Sequence, residues 1–234
     1  MSDAHLPRPA RRAFLGQMGI AATALAGGGA FNSLMADEAE HSAASSPPGA
    51  AAWDLSWVEK ISAAKYKVVL DGGSAPTENA GADYAQRFLD QFHEVYDTRE
   101  ADARAVIVFR QSGTVLGFND SIWERYAVGE RAKMEDPATK APYRRNPIWK
   151  AAPGSPDYEV ASSLDTLTAR GAIVLVCNLA AGNIASALAH SANKSAEEAQ
   201  ADVRKNLIPG ALLVPSGVFA LIRAQNAGCA FLRT

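Results

Sequence analysis

Short, unbroken apolar runs recur along the last three quarters of the chain, and helical periodicity fills the gaps between them. Residues 66–70 (YKVVL), 105–109 (AVIVF), 172–176 (AIVLV) and 211–214 (ALLV) are β-prone runs, and 229–232 is a shorter last one. Runs of this kind suit strands buried on both faces, as in a parallel sheet. Over 80–97, Tyr84, Ala85, Phe88, Leu89, Phe92, Val95 and Tyr96 recur as one stripe of a helix. Further helices are predicted over 120–127, capped by Asn119 or Asp120, and over 164–170, 179–191, 196–207 and 218–226. Ser195 followed by Glu198 is a capping box for the fourth of these, and Ala227-Gly228 closes the last. Alternation of buried strands with helices predicts an α/β fold, with a mostly parallel sheet of about five strands covered on both faces.

Two regions break the alternation. Residues 128–161 carry five prolines and the segment Tyr143-Arg144-Arg145-Asn146-Pro147-Ile148-Trp149, so this stretch is predicted to be a long irregular excursion. Loops this long are functional or disordered, and the aromatic residues favour docking. The excursion is therefore read either as a passive packed detour or as a lid or oligomer contact. The second region is the N-terminus. Residues 1–36 hold Arg8, Arg11 and Arg12, then a weakly apolar Gly- and Ala-rich run. That is the layout of a secretory signal, and Arg11-Arg12-Ala13-Phe14-Leu15 matches the twin-arginine pattern. The run is too short and too glycine-rich for a membrane span. Cleavage is expected near Ala36, although Leu34 is a poor residue at its position. Residues 37–52 are small, polar and proline-containing, and read as a flexible linker. The folded domain is then 53–234, and the expected location is the periplasm.

Composition narrows the functions available. The 234 residues include 48% hydrophobic and 21% charged side chains, ordinary for a globular protein. Removing 1–36 takes three of the 23 basic and one of the 25 acidic residues, which changes the net charge from −2 to −4. Such a chain offers no basic field for nucleic acid or an anionic membrane. No glycine-rich nucleotide fingerprint occurs, so no cofactor is expected. Only His93 and His190 lie in the folded part, so no metal site is expected.

In a parallel sheet the carboxyl ends of all strands share one edge, where ligands bind. That places Asp71, Gly72 and Gly73, Arg110, Cys177 with Asn178, and Ser216 on one rim. Gly72-Gly73 reads first as a tight turn and second as an anion-binding element. Ser216 reads as a helix cap rather than a nucleophile, because no G-x-S-x-G surrounds it. Cys177 ends a strand and precedes a helix, whose positive N-terminal end lowers a thiol's pKa, and an inward-pointing Arg110 would act the same way. The reading is therefore a reactive thiol, against the alternative of a buried structural cysteine. Cys229 starts a strand, on the opposite edge, and is too far from Cys177 for a disulfide.

The segments around Cys177 (AIVLVCNLA), 207–218 (LIPGALLVPSGV) and 224–231 (AQNAGCAF) resemble the DsrE-like family of sulfur-relay proteins, in its exported branch. The resemblance spans about residues 60–234 and is concentrated in the C-terminal third. It implies a single flavodoxin-like three-layer α/β/α domain that forms small homo-oligomers. It also implies that Cys177, at the matching strand end, carries sulfane sulfur as a persulfide. Two functions follow as expectations. One is an exported protein that handles a small sulfur species through Cys177. The other is a non-catalytic ligand-binding or assembly module with a periplasmic partner protein, using the rim and the excursion.

Overall fold

The computed structural model describes residues 53–74 and 80–234. The signal and linker expected over 1–52 lie outside the described residues. A short helix, α1 (Ser56–Ser62), precedes β1 (Tyr66–Gly72), and the long helix α2 (Ala80–Tyr96) leads to β2 (Ala103–Phe109). A 3-10 segment (Gln111–Gly117) and the short helices α3 (Asp120–Arg125), α4 (Val128–Ala132), α5 (Asp157–Ala161) and α6 (Leu164–Ala169) connect β2 to β3 (Ile173–Cys177). Then come α7 (Asn178–Leu188), α8 (Ala196–Lys205), β4 (Leu212–Val214), α9 (Gly217–Asn226) and β5 (Ala230–Arg233).

The five strands form one sheet in the order β4-β3-β2-β1-β5, and every pairing is parallel. The chain steps outward from β1 to β4, then crosses back to place β5 on the far side of β1. Side chains alternate across the strands and build two cores. Leu70, Ile107, Phe109, Val174 and Val176 pack under α2, α6 and α7 on one face. Val69, Val106, Val108, Leu175 and Val214 pack under α1 and α9 on the other. The domain is thus a flavodoxin-like three-layer α/β/α sandwich. Each fully buried aliphatic side chain contributes about 1.5–3 kcal/mol, so both faces must be covered. Among the described residues no helix is long and apolar enough to cross a membrane.

The differences from the sequence pattern are local. Helix α1 has no side-chain cap and only seven residues, too few for periodicity to show, yet it buries Trp57, Val58 and Ile61. Strand β1 extends through Asp71 and Gly72 because they pair with Val108 and Phe109. The stripe of α2 is rotated: Ala82, Ala85 and Leu89 face the core, while Tyr84, Val95 and Tyr96 are exposed. Small residues nearest the sheet let α2 approach it, and Tyr66 stacks on Tyr96 with ring centroids 5.3 Å apart. The caps form as the sequence implies: Asn119 accepts from the Ile122 amide, and Ser195 and Glu198 make the reciprocal box.

The excursion is ordered, and Asn146 explains how. Its side chain is 1% exposed. The amide nitrogen donates to the Leu116 and Phe118 carbonyls at 2.7 and 2.8 Å, and the oxygen accepts from the Ile148 and Trp149 amides at 3.0 and 3.2 Å. Its own backbone amide donates to Asp120 at 2.9 Å. One side chain thereby ties the excursion to the 3-10 segment after β2 and turns the chain into the next stretch. Replacing it strands several buried polar groups at once, each costing about 1–3 kcal/mol. We expect Asn146→Ala to lose about 2–4 kcal/mol in urea unfolding. A loss below about 0.5 kcal/mol would show that the excursion does not depend on this residue.

Candidate functional site

The connections leaving β3 and β4 diverge. Helix α7 buries Ala181 and Ala185 on one face of the sheet, and α9 buries Ala220 and Ala224 on the other. Neighbouring parallel strands whose following helices part in this way leave a crevice at their carboxyl ends, the usual ligand position in such folds. Cys177 closes β3 on one side of the crevice, and Pro215-Ser216-Gly217 follows β4 on the other, with Cys177 and Val214 in register.

Cys177 is 6% exposed and caps α7. Its sulfur accepts a hydrogen bond from the Ala180 amide at 3.4 Å. The sulfur therefore sits where backbone amides and the dipole of an 11-residue helix favour negative charge. Arg110, immediately after β2, spans the gap between β1 and the crevice. Its Nε and Nη2 donate to the two oxygens of Asp71 at 2.5 and 2.6 Å, a bidentate pair. The Asp71 side chain is 5% exposed and the Arg110 side chain 23%. The Asp71 hydrogen bonds hold the guanidinium above its ordinary range, against the opposing effect of burial, and the charge of Cys177 adds to them. Arg110 and a Cys177 thiolate thus attract each other.

Two glycines give the arginine its channel, and a third serves the segment beside it. A Cβ on Gly73 would lie 3.2 Å from the Arg110 guanidinium carbon, and one on Gly217 only 2.5 Å from the Arg110 Cβ. A Cβ on Gly113 would stand 2.2 Å from the Gly72 carbonyl, so only glycine lets the 3-10 segment lie against the end of β1. Gly72 itself ends β1 in extended pairing, and its carbonyl accepts from the Arg110 amide at 3.2 Å. Close approach rather than a left-handed turn is what these positions require.

The structure brings Asp71, Gly72, Gly73, Arg110 and Cys177 together and turns two other rim residues elsewhere. Asn178 accepts from Arg204 of α8 at 2.8 Å. The Ser216 hydroxyl caps α9 by accepting from Phe219 at 3.1 Å. Gly113 and Gly217 are residues whose roles were hidden in the sequence. A glycine a few residues after each strand was the only signal, and close packing against another segment is not visible from one position. No cluster of three or more His, Cys, Asp or Glu side chains able to hold a metal occurs among the described residues.

Both cysteines are free. Cys229 precedes the amino end of β5, three strand spacings from β3, roughly 14 Å sideways and at the opposite end of the sheet. Its thiol is pushed up by burial to about 11, with Lys67 acting weakly the other way. The chain matches no protein-family model, and no curated protein matches it.

A thiol with a raised pKa stays protonated near neutrality, and only the thiolate is alkylated. Cys229 in the folded protein is expected to resist iodoacetamide at pH 8 and to react progressively faster as pH rises toward about 11. Peptide mass mapping would show it, with full labelling once the protein is unfolded in urea. Rapid labelling of folded protein at pH 8 would contradict the burial of this thiol.

Proposed function

We propose that the protein accepts sulfane sulfur on Cys177 and holds it as a persulfide at the crevice between β3 and β4. The observation that carries this reading is the hydrogen bond from the Ala180 amide to the Cys177 sulfur at the N-terminus of α7, beside Arg110. A persulfide is a larger sulfur anion than a thiolate, and the same amides and guanidinium favour its charge. The step balances without an added oxidant. The Cys177 thiolate attacks the outer sulfur of a donor R–S–S⁻. A new S–S bond forms as the old one breaks, and the electron pair of the broken bond leaves with R–S⁻. The product is Cys177–S–S⁻, and the chain returns to its thiolate when the sulfur passes to a further thiolate by the same exchange.

Near-complete burial of Cys177 favours a small donor, such as polysulfide or a low-molecular-weight persulfide, over a protein surface. We further propose that the N-terminal twin-arginine segment directs the protein to the periplasm. We also propose that it works as a homo-oligomer and belongs with the DsrE-like proteins that it resembles. Exposed apolar residues on α7 and α9 near the crevice, Leu179, Val218 and Ile222, support a self-contact there.

Incubation with polysulfide is expected to add about 32 Da, one sulfur atom, to the intact wild-type and Cys229→Ser proteins and nothing to Cys177→Ser. An equal adduct on Cys177→Ser, or none on wild type, would remove the sulfur-handling reading. Export is checked separately by cell fractionation. The full chain is expected in the periplasm, and an Arg11→Lys, Arg12→Lys variant is expected to stay in the cytoplasm. Unchanged periplasmic yield in that variant would exclude the twin-arginine route.

A further inference from the structure

Strand β5 ends the sheet beside β1, and among the described residues no strand pairs with its outer edge. Such an edge presents a row of unpaired amides and carbonyls to any extended chain, and proteins blunt it with charges, prolines or bulges. Over Ala230–Arg233, β5 has no proline and a single charged residue. All four residues are exposed, Phe231 by 47% and Leu232 by 43%, so neither helical layer overhangs the edge.

The outer flank of α2 continues this surface. A Cβ on Gly81 would meet Thr234 Oγ1 at 3.4 Å, which sets that flank beside the end of β5. Tyr84, Phe88, Phe92 and Val95 follow Gly81 at helical spacing. Tyr84 and Val95 are exposed, and the half-buried Phe92 packs on Phe88, Tyr66 and Tyr96. The acidic side of α2 turns the other way, where Asp90 pairs with Arg170 after α6. Edge and flank together make an apolar surface of the kind that marks an interface.

The residue order of β5 says what covers it. The Thr234 amide donates inward, to the Asp71 carbonyl. Backbone groups alternate along a strand, so Leu232 also bonds inward, and Phe231 and Arg233 turn their amides and carbonyls outward. An antiparallel copy of β5 centred on Leu232 meets all of those groups: each Phe231 exchanges two hydrogen bonds with Arg233 of the other copy. Leu232 then faces Leu232 on the α2 side of the sheet, since its neighbour on β1, Leu70, packs under α2. On the other side Phe231 faces Arg233, an aromatic ring against a guanidinium. A register centred on Arg233 would instead oppose two like charges.

We infer that β5 and the outer flank of α2 form a two-fold interface between two copies of this chain, with β5 paired antiparallel to itself about Leu232. The sheet then runs unbroken through both subunits, and the two α2 flanks approach each other over the seam. Strands β4 and β5 are opposite edges of the sheet, so this contact is separate from the one proposed on α7 and α9, and it does not rest on the sulfur reading.

Analytical ultracentrifugation of the full chain and a disulfide cross-link test the interface. The central Leu232 pair is a non-hydrogen-bonded one, with Cα atoms about 4.5 Å apart, within reach of a disulfide. Leu232→Cys is expected to give a covalent dimer on mild oxidation, joined at residue 232 in peptide mass mapping. Arg233→Cys, which faces Phe231 instead of itself, is expected to give none. Leu232→Lys sets like charges directly opposite and is expected to halve the sedimenting mass. Leu232 is outside the core, so the fold is kept, which circular dichroism checks. Leu179→Glu, on the α7 surface, is expected to leave the Leu232→Cys cross-link intact, so failure of that contact and failure of this one are told apart. A monomeric wild type, an unchanged mass in Leu232→Lys, or equal cross-linking of Arg233→Cys would overturn the assignment. The first of these would give the edge to another segment of this chain or to a different protein.

Discussion

A carboxylate withdrawn from water at the end of a central strand must be paired, and Asp71 is paired with Arg110 through both its oxygens. The geometry around the crevice depends on that pair. It stretches Arg110 from β2 toward β1 and fixes which face of the guanidinium remains available. It also explains the glycines on either side, since the arginine chain lies flat between Gly73 and Gly217 with no space for a Cβ at 217. Two charges so deeply placed are costly to desolvate, and their mutual hydrogen bonds offset the cost only in good geometry. The ends of β1 and β2 are therefore locked together at the point where the site is built.

Topology does the rest of the placing. Four strands step outward in order, with their connections on one face, and the last crossover returns on the other. That reversal can occur only once the outermost strand, β4, has been laid down, so α7 and α9 part between β3 and β4. Right-handed crossovers leave little choice of face once the strand order is set. Cys177 sits at this parting with its sulfur already accepting an amide. Cys229, at the other end of the sheet, is surrounded by apolar side chains. The two thiols are alike in exposure, 6% and 7%, and differ in polar surroundings. Position relative to a helix end, rather than burial, distinguishes them.

The excursion between β2 and β3 has a separate physical basis. It contains little regular structure beyond two helical turns, so its backbone groups need other partners. Asn146 supplies two of them, for the Ile148 and Trp149 amides, and the bridge between Glu135 and Pro142 closes a smaller loop within it. Outside the excursion, Arg125 and Lys194 converge with Tyr126 on Asp202 of α8. Burial raises the Asp202 carboxyl, but the hydrogen bonds from Arg125, Lys194 and Tyr126 outweigh it and hold the group below the usual carboxylate range. The Asn146 bonds to the Leu116 and Phe118 carbonyls tie the proline-rich stretch to the segment after β2.

Elements set by short-range physics were legible in the residue order. The apolar runs marked the inner strands because strands buried on both faces need apolar side chains throughout, whereas the edge strand β5 is exposed along its length. Asn119, Ser195 and Ser216 marked helix starts because a cap acts within three residues. The position of Cys177 at a strand end followed from the same reading, as did the rim that holds Asp71 and Arg110. Helix α1 escaped because seven residues carry no period, and the rotation of α2 escaped because its aromatic residues mask the small ones that meet the sheet. Only the tertiary structure decided that Arg110 is held by Asp71, that Asn178 turns to α8, and that Gly113 and Gly217 serve close approach. It alone set the outer flank of α2 beside the edge strand β5. Those outcomes depend on contacts between segments distant in the chain, and the pattern along a single segment does not record which distant neighbour will pack against it.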